Sequence, residues 1–186
     1  MMPRIAPLEP PHPSDVAAEL DRWMPTGGAV PPLALFRTFV RNLPLARAML
    51  PLGRFLLSRR FGPGPRVREL VIDRVCARTA CAYEWGVHVA AFAGIAGLDE
   101  AAIHATAGGT PDDPAWSADD AAVVRLVDEL CDTGHVSDEV WAELARRWTP
   151  EQLLELLVLA GWYHVVAFVA NGARVPLEDW AARFPD

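Results

Sequence analysis

Lysine is absent from this 186-residue chain; all seventeen basic residues are arginine. A lysine Schiff base, a phosphate-loop lysine and a lysine general base are therefore excluded. Cysteine is scarce, with only Cys76, Cys81 and Cys131. The odd count argues against a disulfide scaffold and for a reducing compartment. The proline-rich N-terminus has no apolar core of signal-peptide length, so the expected location is the cytoplasm. No stretch shows the alternation of a half-buried strand. No apolar run reaches the roughly 20 residues of a membrane span. The nearest, residues 156–170, contains His164 and is expected to be a buried helix rather than a membrane segment.

What is present is a core. Hydrophobic residues make up 52% of the chain, enough for one globular domain. The periodicity is helical throughout, so an all-α fold of about eight helices is expected. Residues 1–13 read as an extended arm and residues 14–186 as a single domain. Ser14 is expected to cap a first short helix, with a Gly/Pro loop at 26–32. Pro31 or Pro32 should open a second helix, and Pro44 a third that runs to about residue 59. Pro65 opens the next after the Gly-Pro-Gly-Pro break, and that helix should fail near Thr79 and Ala80. Another spans about 81–96, ended by Gly97. Asp99, Ser117, Ser137 and Thr149 are N-cap candidates for four more. The last long helix is apolar on almost every side and is expected to be buried all round. A short tail helix is expected after Pro176.

The net charge of −7 is uneven. Between residues 37 and 78, ten arginines face only Glu69 and Asp73, a balance of +8. Between residues 99 and 155, fourteen acids face three arginines, a balance of −11. Two readings follow: mutual attraction of the two halves, within or between subunits, or an arginine-lined mouth for an anionic, carboxylated substrate. A nucleic-acid partner is not expected, because the protein is acidic overall and the arginine stretch lacks interleaved aromatics.

The densest chemistry lies in Cys-Ala-Tyr-Glu-Trp-Gly-Val-His at 81–88. On a helix, Cys81, Glu84 and His88 share one face. Cys81 falls at or just before the helix N-terminus, where free amide groups stabilise a thiolate. A protonated His88 would favour the thiolate further, a neutral one would accept its proton, and Glu84 opposes thiolate charge. Glu69, twelve residues before Cys81, lies on the preceding helix with Asp73 and Cys76, which stand as supporting groups. Cys76 can cooperate with Cys81 only if the junction between the helices folds back. Tyr83 and Trp85 are candidate pocket walls. No strong zinc spacing is present, and no metal or cofactor is expected. His164 reads as a core histidine; His12, His104 and His135 carry no signal.

Glu69, Cys81 and His88 at these spacings resemble the alkylhydroperoxidase D branch of the carboxymuconolactone decarboxylase superfamily. That branch carries Glu, then Cys-x-x-Cys, then His. Its cysteines form a redox dithiol and its Glu and His relay protons. The second cysteine of that motif falls on Glu84. Glu84 and His88 match instead the Glu-x-x-x-His of the decarboxylase branch. Tyr-Glu-Trp at 83–85 is similar to a third branch. The resemblance covers about residues 66–98. It implies an alkylhydroperoxidase D-like helical bundle, a homo-oligomer and an enzyme acting on a small molecule without a cofactor, with catalytic residues Glu69, Cys81, Glu84 and His88. The leading expectation is a lyase step, decarboxylation or isomerisation of a small acid or lactone, with Glu84 and His88 as the acid–base pair. The rival is peroxide reduction by Cys81 with an external thiol. A third possibility is a non-catalytic helical oligomer, which dry packing around His88 with both nitrogens bonded and no adjoining pocket would favour.

Overall fold

The computed structural model describes residues 2–24 and 30–185, so most of the expected 26–32 loop lies outside the described residues. Among the described residues there are nine α-helices, one 3-10 turn and no strand. The helices are α1 (Ser14–Trp23), α2 (Ala34–Phe39), α3 (Leu43–Leu56), α4 (Pro65–Arg78) and α5 (Ala82–Ala96). They continue with α6 (Glu100–Gly108), α7 (Ala118–Thr133), α8 (Asp138–Ala145) and α9 (Pro150–Ala173). The 3-10 turn, Val40–Asn42, leads into α3. The expected all-α bundle of about eight helices is what forms.

Local signals account for most boundaries. Asp99, Ser117, Ser137 and Thr149 each accept a hydrogen bond from a first-turn amide, and Ser117 and Thr149 complete reciprocal capping boxes. Pro65 opens α4, and left-handed Gly97 closes α5. Four expectations need correction. Ser14 lies inside α1, behind Pro13, and caps nothing. The second helix begins at Ala34, whose amide donates to Glu178 Oε1 at 2.6 Å, so the tail supplies the cap that no local residue provides. Helices α3 and α8 end earlier than expected, at Leu56 and Ala145. The tail after Pro176 forms no helix. Its groups are taken elsewhere: Glu178 bonds Ala34 and Tyr83, and the Ala182 amide donates to Gly86 O at 3.0 Å. A Cβ at Gly86 would collide with the Ala182 carbonyl, so glycine is what lets the tail lie on α5.

Helix α4 is the hub, packed against α5, α6, α7 and α9. Leu70, Val71, Ile72 and Val75 are fully buried, and so are Asp73 and Cys76. Between α4 and α7 runs a charged ladder: Arg66–Asp120, Arg74–Asp128 and Arg78–Asp132. The offset is the same at every rung, so the two helices run parallel and in register. Arg74 makes two bonds to Asp128, 2.7 and 2.8 Å, and two more to the Thr106 and Gly109 carbonyls. At these rungs the opposed charges of the two halves meet within one chain.

Helix α9 departs from expectation twice. At 24 residues it is long and apolar enough, by length and composition alone, to cross a membrane, which the sequence reading denied. Nor is it buried all round. Leu153, Leu156, Leu159, Ala160, Tyr163, Val166 and Ala167 face the core, but Leu154, Val158, Val165 and Phe168 face outward, Phe168 being 66% exposed.

Candidate functional site

Helix α4 ends in a reversal that shapes the site. The Cys81 amide donates to Cys76 O at 2.7 Å and the Ala80 amide to Ala77 O at 3.0 Å. This is the bond pattern of a Schellman turn. Its left-handed position, normally glycine, is held by Ala80 at φ 51°. The turn makes Cys81 the N-cap residue of α5 and returns it beside Cys76. The junction therefore does fold back.

Helix α4 presents Glu69, Asp73 and Cys76 on one face, one turn apart. Helix α5 presents Cys81, Glu84 and His88 opposite them, and α9 adds Tyr163. His88, 3% exposed, is bonded at both nitrogens. Its Nδ1 lies 2.7 Å from Glu69 Oε2; its Nε2 lies 3.0 Å from Tyr163 Oη and 3.4 Å from Glu84 Oε1. Glu69 Oε1 accepts from Arg68 Nε at 2.6 Å. Burial opposes charge on His88, but the Glu69 carboxylate, its hydrogen bond and Glu84 outweigh that and push the imidazole up to about 10. Burial likewise works against the Glu69 carboxylate, yet His88 and Arg68 hold it below its ordinary value. The core of the site is thus a carboxylate–imidazolium pair, with both ring N–H groups donating.

The two cysteines differ. The Cys76 thiol, acting as donor, is the largest influence on Cys81 and lowers its pKa against the cost of burial. The Glu84 and Tyr83 amides of the first turn of α5 also favour the thiolate, while the Glu84 charge opposes it. The net effect lowers the Cys81 thiol from its ordinary value, through Cys76 and the first-turn amides rather than through His88. Burial pushes Cys76 well up, so it stays a thiol. Both sulfurs are free.

Asp73 is fully buried, and burial drives its carboxyl well above the ordinary carboxylate range, favouring the protonated form. Among the described residues neither of its oxygens has a hydrogen-bond partner, and Glu84 Oε2 has none either. Buried polar atoms left unpaired cost about 1–3 kcal/mol each. Among the described residues no group of three or more His, Cys, Asp or Glu side chains is arranged to hold a metal ion.

Of the six residues picked out from sequence, the structure brings four together: Glu69, Cys81, Glu84 and His88. It turns the other two away. The Tyr83 hydroxyl donates to Glu178 at 2.7 Å and accepts from the Leu35 amide. Trp85 bonds Thr106 Oγ1 at 3.1 Å and stacks on Phe184. Two residues of the cluster went unread, Arg68 and Tyr163. A tyrosine on the inner face of an apolar helix was the available signal, since a buried hydroxyl must find a partner.

The side chains of the cluster are buried, Glu69, Cys81, Glu84 and His88 all being less than a tenth exposed. Two surface depressions lie elsewhere: one under the N-terminal arm, against Val40 to Pro44, and the other around Asp99 to His104. Phe92, half-buried, continues the Cys81–Glu84–His88 stripe; its ring lies 5.1 Å from that of His88 and under the Arg68 guanidinium at 6.0 Å. The buried ring, bonded at both nitrogens, is what a structural role would show. The unpartnered carboxyl oxygens are not, because a purely structural network satisfies its members.

No protein-family model and no curated relative matches the chain. Solved structures do. An uncharacterized peroxidase-related protein from Silicibacter sp. TM1040 aligns over 100% of this chain and 99% of its own, at 14% identity and a TM-score of 0.77. The apo debrominase Bmp8 aligns over 95% and 92%, at 14% identity and 0.72. A cysteine-to-alanine variant of that debrominase, in complex with 2,3,4-tribromopyrrole, aligns over 97% and 94%, at 15% identity and 0.70. At these identities the likeness shows a shared fold.

Proposed function

We propose that this protein is an enzyme that uses the Cys81 thiolate to reduce a small electrophilic oxidant, with an organic hydroperoxide as the model substrate. One observation carries the reading: Cys81 stands at the N-cap of α5, where first-turn amides favour a thiolate, on the same helix face as a His88 that is held 2.7 Å from the Glu69 carboxylate. Cys81 sulfur attacks the terminal peroxide oxygen; an S–O bond forms, the O–O bond breaks, and an alkoxide leaves. The alkoxide takes a proton from His88 Nε2, passed through Glu84. Glu69 keeps the ring charged and oriented. The product, Cys81 sulfenic acid, is returned to thiol by two external thiol equivalents, with loss of water. The peroxidase-related and debrominase neighbours, the latter also solved with a cysteine replaced by alanine and 2,3,4-tribromopyrrole bound, support the reading.

This reverses the order of the two reactions inferred from sequence. Against burial, the Glu69 and Glu84 carboxylates push His88 up to about 10, which favours it as a proton donor rather than as a base. The unpartnered Glu84 Oε2 is what favours the lyase reading, with Glu84 as base and His88 as donor toward a small acid or lactone.

One panel separates the two. Cys81→Ser abolishes hydroperoxide consumption, and the alkylation rate of wild-type Cys81 titrates below the ordinary thiol value of about 8.5. A Cys81 that stays inert to mild hydroperoxide and titrates as an ordinary thiol overturns the peroxidase reading. Turnover of an acid or lactone that survives Cys81→Ser but not Glu84→Gln establishes the other.

The same proposal includes self-association. Leu154, Val158, Gly161, Val165 and Phe168 recur at alternating steps of four and three residues, the spacing of a helix–helix seam.

A further inference from the structure

We propose that Cys76 is the resolving thiol of this chain, so that oxidised Cys81 is captured as an intramolecular Cys76–Cys81 disulfide. The inference rests on the thiol reading above and replaces its external resolving step with one built into the fold.

The geometry comes from the Schellman turn. The Cys81 amide and the Cys76 carbonyl are 2.7 Å apart. Standard bond lengths then cap the separation of the two α-carbons at about 6.6 Å. Disulfides span roughly 4.4–6.8 Å. Both side chains are fully buried in the same core, and each thiol is the other's principal side-chain influence apart from burial. The turn thus places the Cys76 thiol beside a sulfenic acid at Cys81 without any need for a second molecule to bind. Cys131 is on α7, among the Arg78, Asp128 and Asp132 charges at the far side of α4, and cannot serve. The left-handed Ala80 is the backbone cost of this approach, and strain of this kind gathers where function requires a fixed geometry.

The step balances. Cys76 sulfur attacks Cys81 sulfur; the S–S bond forms and the S–O bond of the sulfenic acid breaks. The departing hydroxide takes the Cys76 thiol proton and leaves as water. The two electrons lost by the cysteine pair are those gained by the peroxide in the first step. An external dithiol then reduces the disulfide and is itself oxidised to a disulfide. Before oxidation, the same Cys76 thiol proton stabilises the attacking thiolate. Cys76 therefore serves the nucleophile first and its resolution second.

The test is peptide mapping of the full chain after stoichiometric tert-butyl hydroperoxide, alkylated and digested with trypsin without reductant. The chain is cut after Arg74, Arg78 and Arg125, so the pair falls on different peptides. The expected result is peptide 75–78 joined to peptide 79–125, in wild type and in Cys131→Ser alike, with no dimedone adduct at Cys81. Cys76→Ser, which keeps a hydroxyl donor, should accumulate that adduct at least severalfold above wild type. Wild type that accumulates dimedone-reactive Cys81 while Cys76 remains fully alkylatable overturns this inference and leaves the peroxidase reading standing. A bond from Cys81 to Cys131 or to another chain overturns it equally. If no cysteine reacts, the peroxidase reading falls and this inference with it. The wild-type map decides the question even if a Cys76 variant fails to fold.

Discussion

Glu69 holds the charges of the site together. One of its oxygens bonds Arg68 and the other His88, and the residue is 1% exposed. Glu69→Gln would leave a buried guanidinium and a buried imidazolium without their anion, a change that costs about 3–5 kcal/mol. Urea denaturation at neutral pH measures it, and NMR titration should find His88 moved down toward its ordinary range. The pH window follows from the same pair. His88 is raised, so its contribution is complete below 6.5, its unfolded value, and is lost as pH climbs through about 10. Glu69 is lowered, so its contribution is present above 4.5 and is lost as pH falls through its lower folded value. Asp73 acts in the opposite sense. Its carboxyl is raised by burial, so ionisation of the unfolded chain draws stability away as pH rises above 3.8. Asp73→Asn, neutral at every pH, should raise the melting temperature near pH 7 and gain less near pH 4. An equal gain at both would show that ionisation of Asp73 is not the cause.

At the scale of elements, the α4–α5 junction makes two demands that conflict. A left-handed residue is required to reverse the chain, and alanine in that conformation costs about 1 kcal/mol or more. Ala80→Gly should therefore stabilise the fold by about 1 kcal/mol, read from the denaturation midpoint. Under the redox reading it should also slow formation of the Cys76–Cys81 disulfide, because a more pliant turn holds the two sulfurs together for less of the time. Stability and disulfide rate rising together would mean that the strain contributes nothing to the pairing. The tail acts as an element without regular structure. It caps α2 through Glu178 and lies across Gly86, so it braces the helix that carries Cys81.

At the scale of the whole molecule, two surfaces of opposite character matter. The Arg–Asp ladder joins α4 to α7 in a fixed register and turns the uneven charge of the chain inward on itself. The outer stripe of α9 is left uncovered in the single chain, with Leu154 at 62% and Phe168 at 66% exposure. An apolar stripe of that length on a helix marks an interaction surface. Phe168→Glu together with Val165→Glu should reduce the mass measured by size exclusion with light scattering from an oligomer to a single chain. A wild-type protein that runs as a clean monomer removes the proposal.

The sequence by itself determined what depends on neighbours a few residues away. Proline at 65 and 150, glycine at 97, and the caps at Asp99, Ser117, Ser137 and Thr149 act through local backbone groups, so those boundaries were legible. Helical spacing put Cys81, Glu84 and His88 on one face for the same reason. Only the tertiary structure decided which partners those residues meet. Tyr163 reaches His88 because of how α9 lies across α4 and α5, and no local pattern encodes that crossing. The tail lost its expected helix to bonds with residues 34, 83 and 86, all distant in the chain. The face of α9 that is buried was likewise a matter of packing, since an all-apolar helix has no inside or outside of its own. Cys76 became a partner of Cys81 through the left-handed Ala80, a conformation that nothing in the alanine side chain announces.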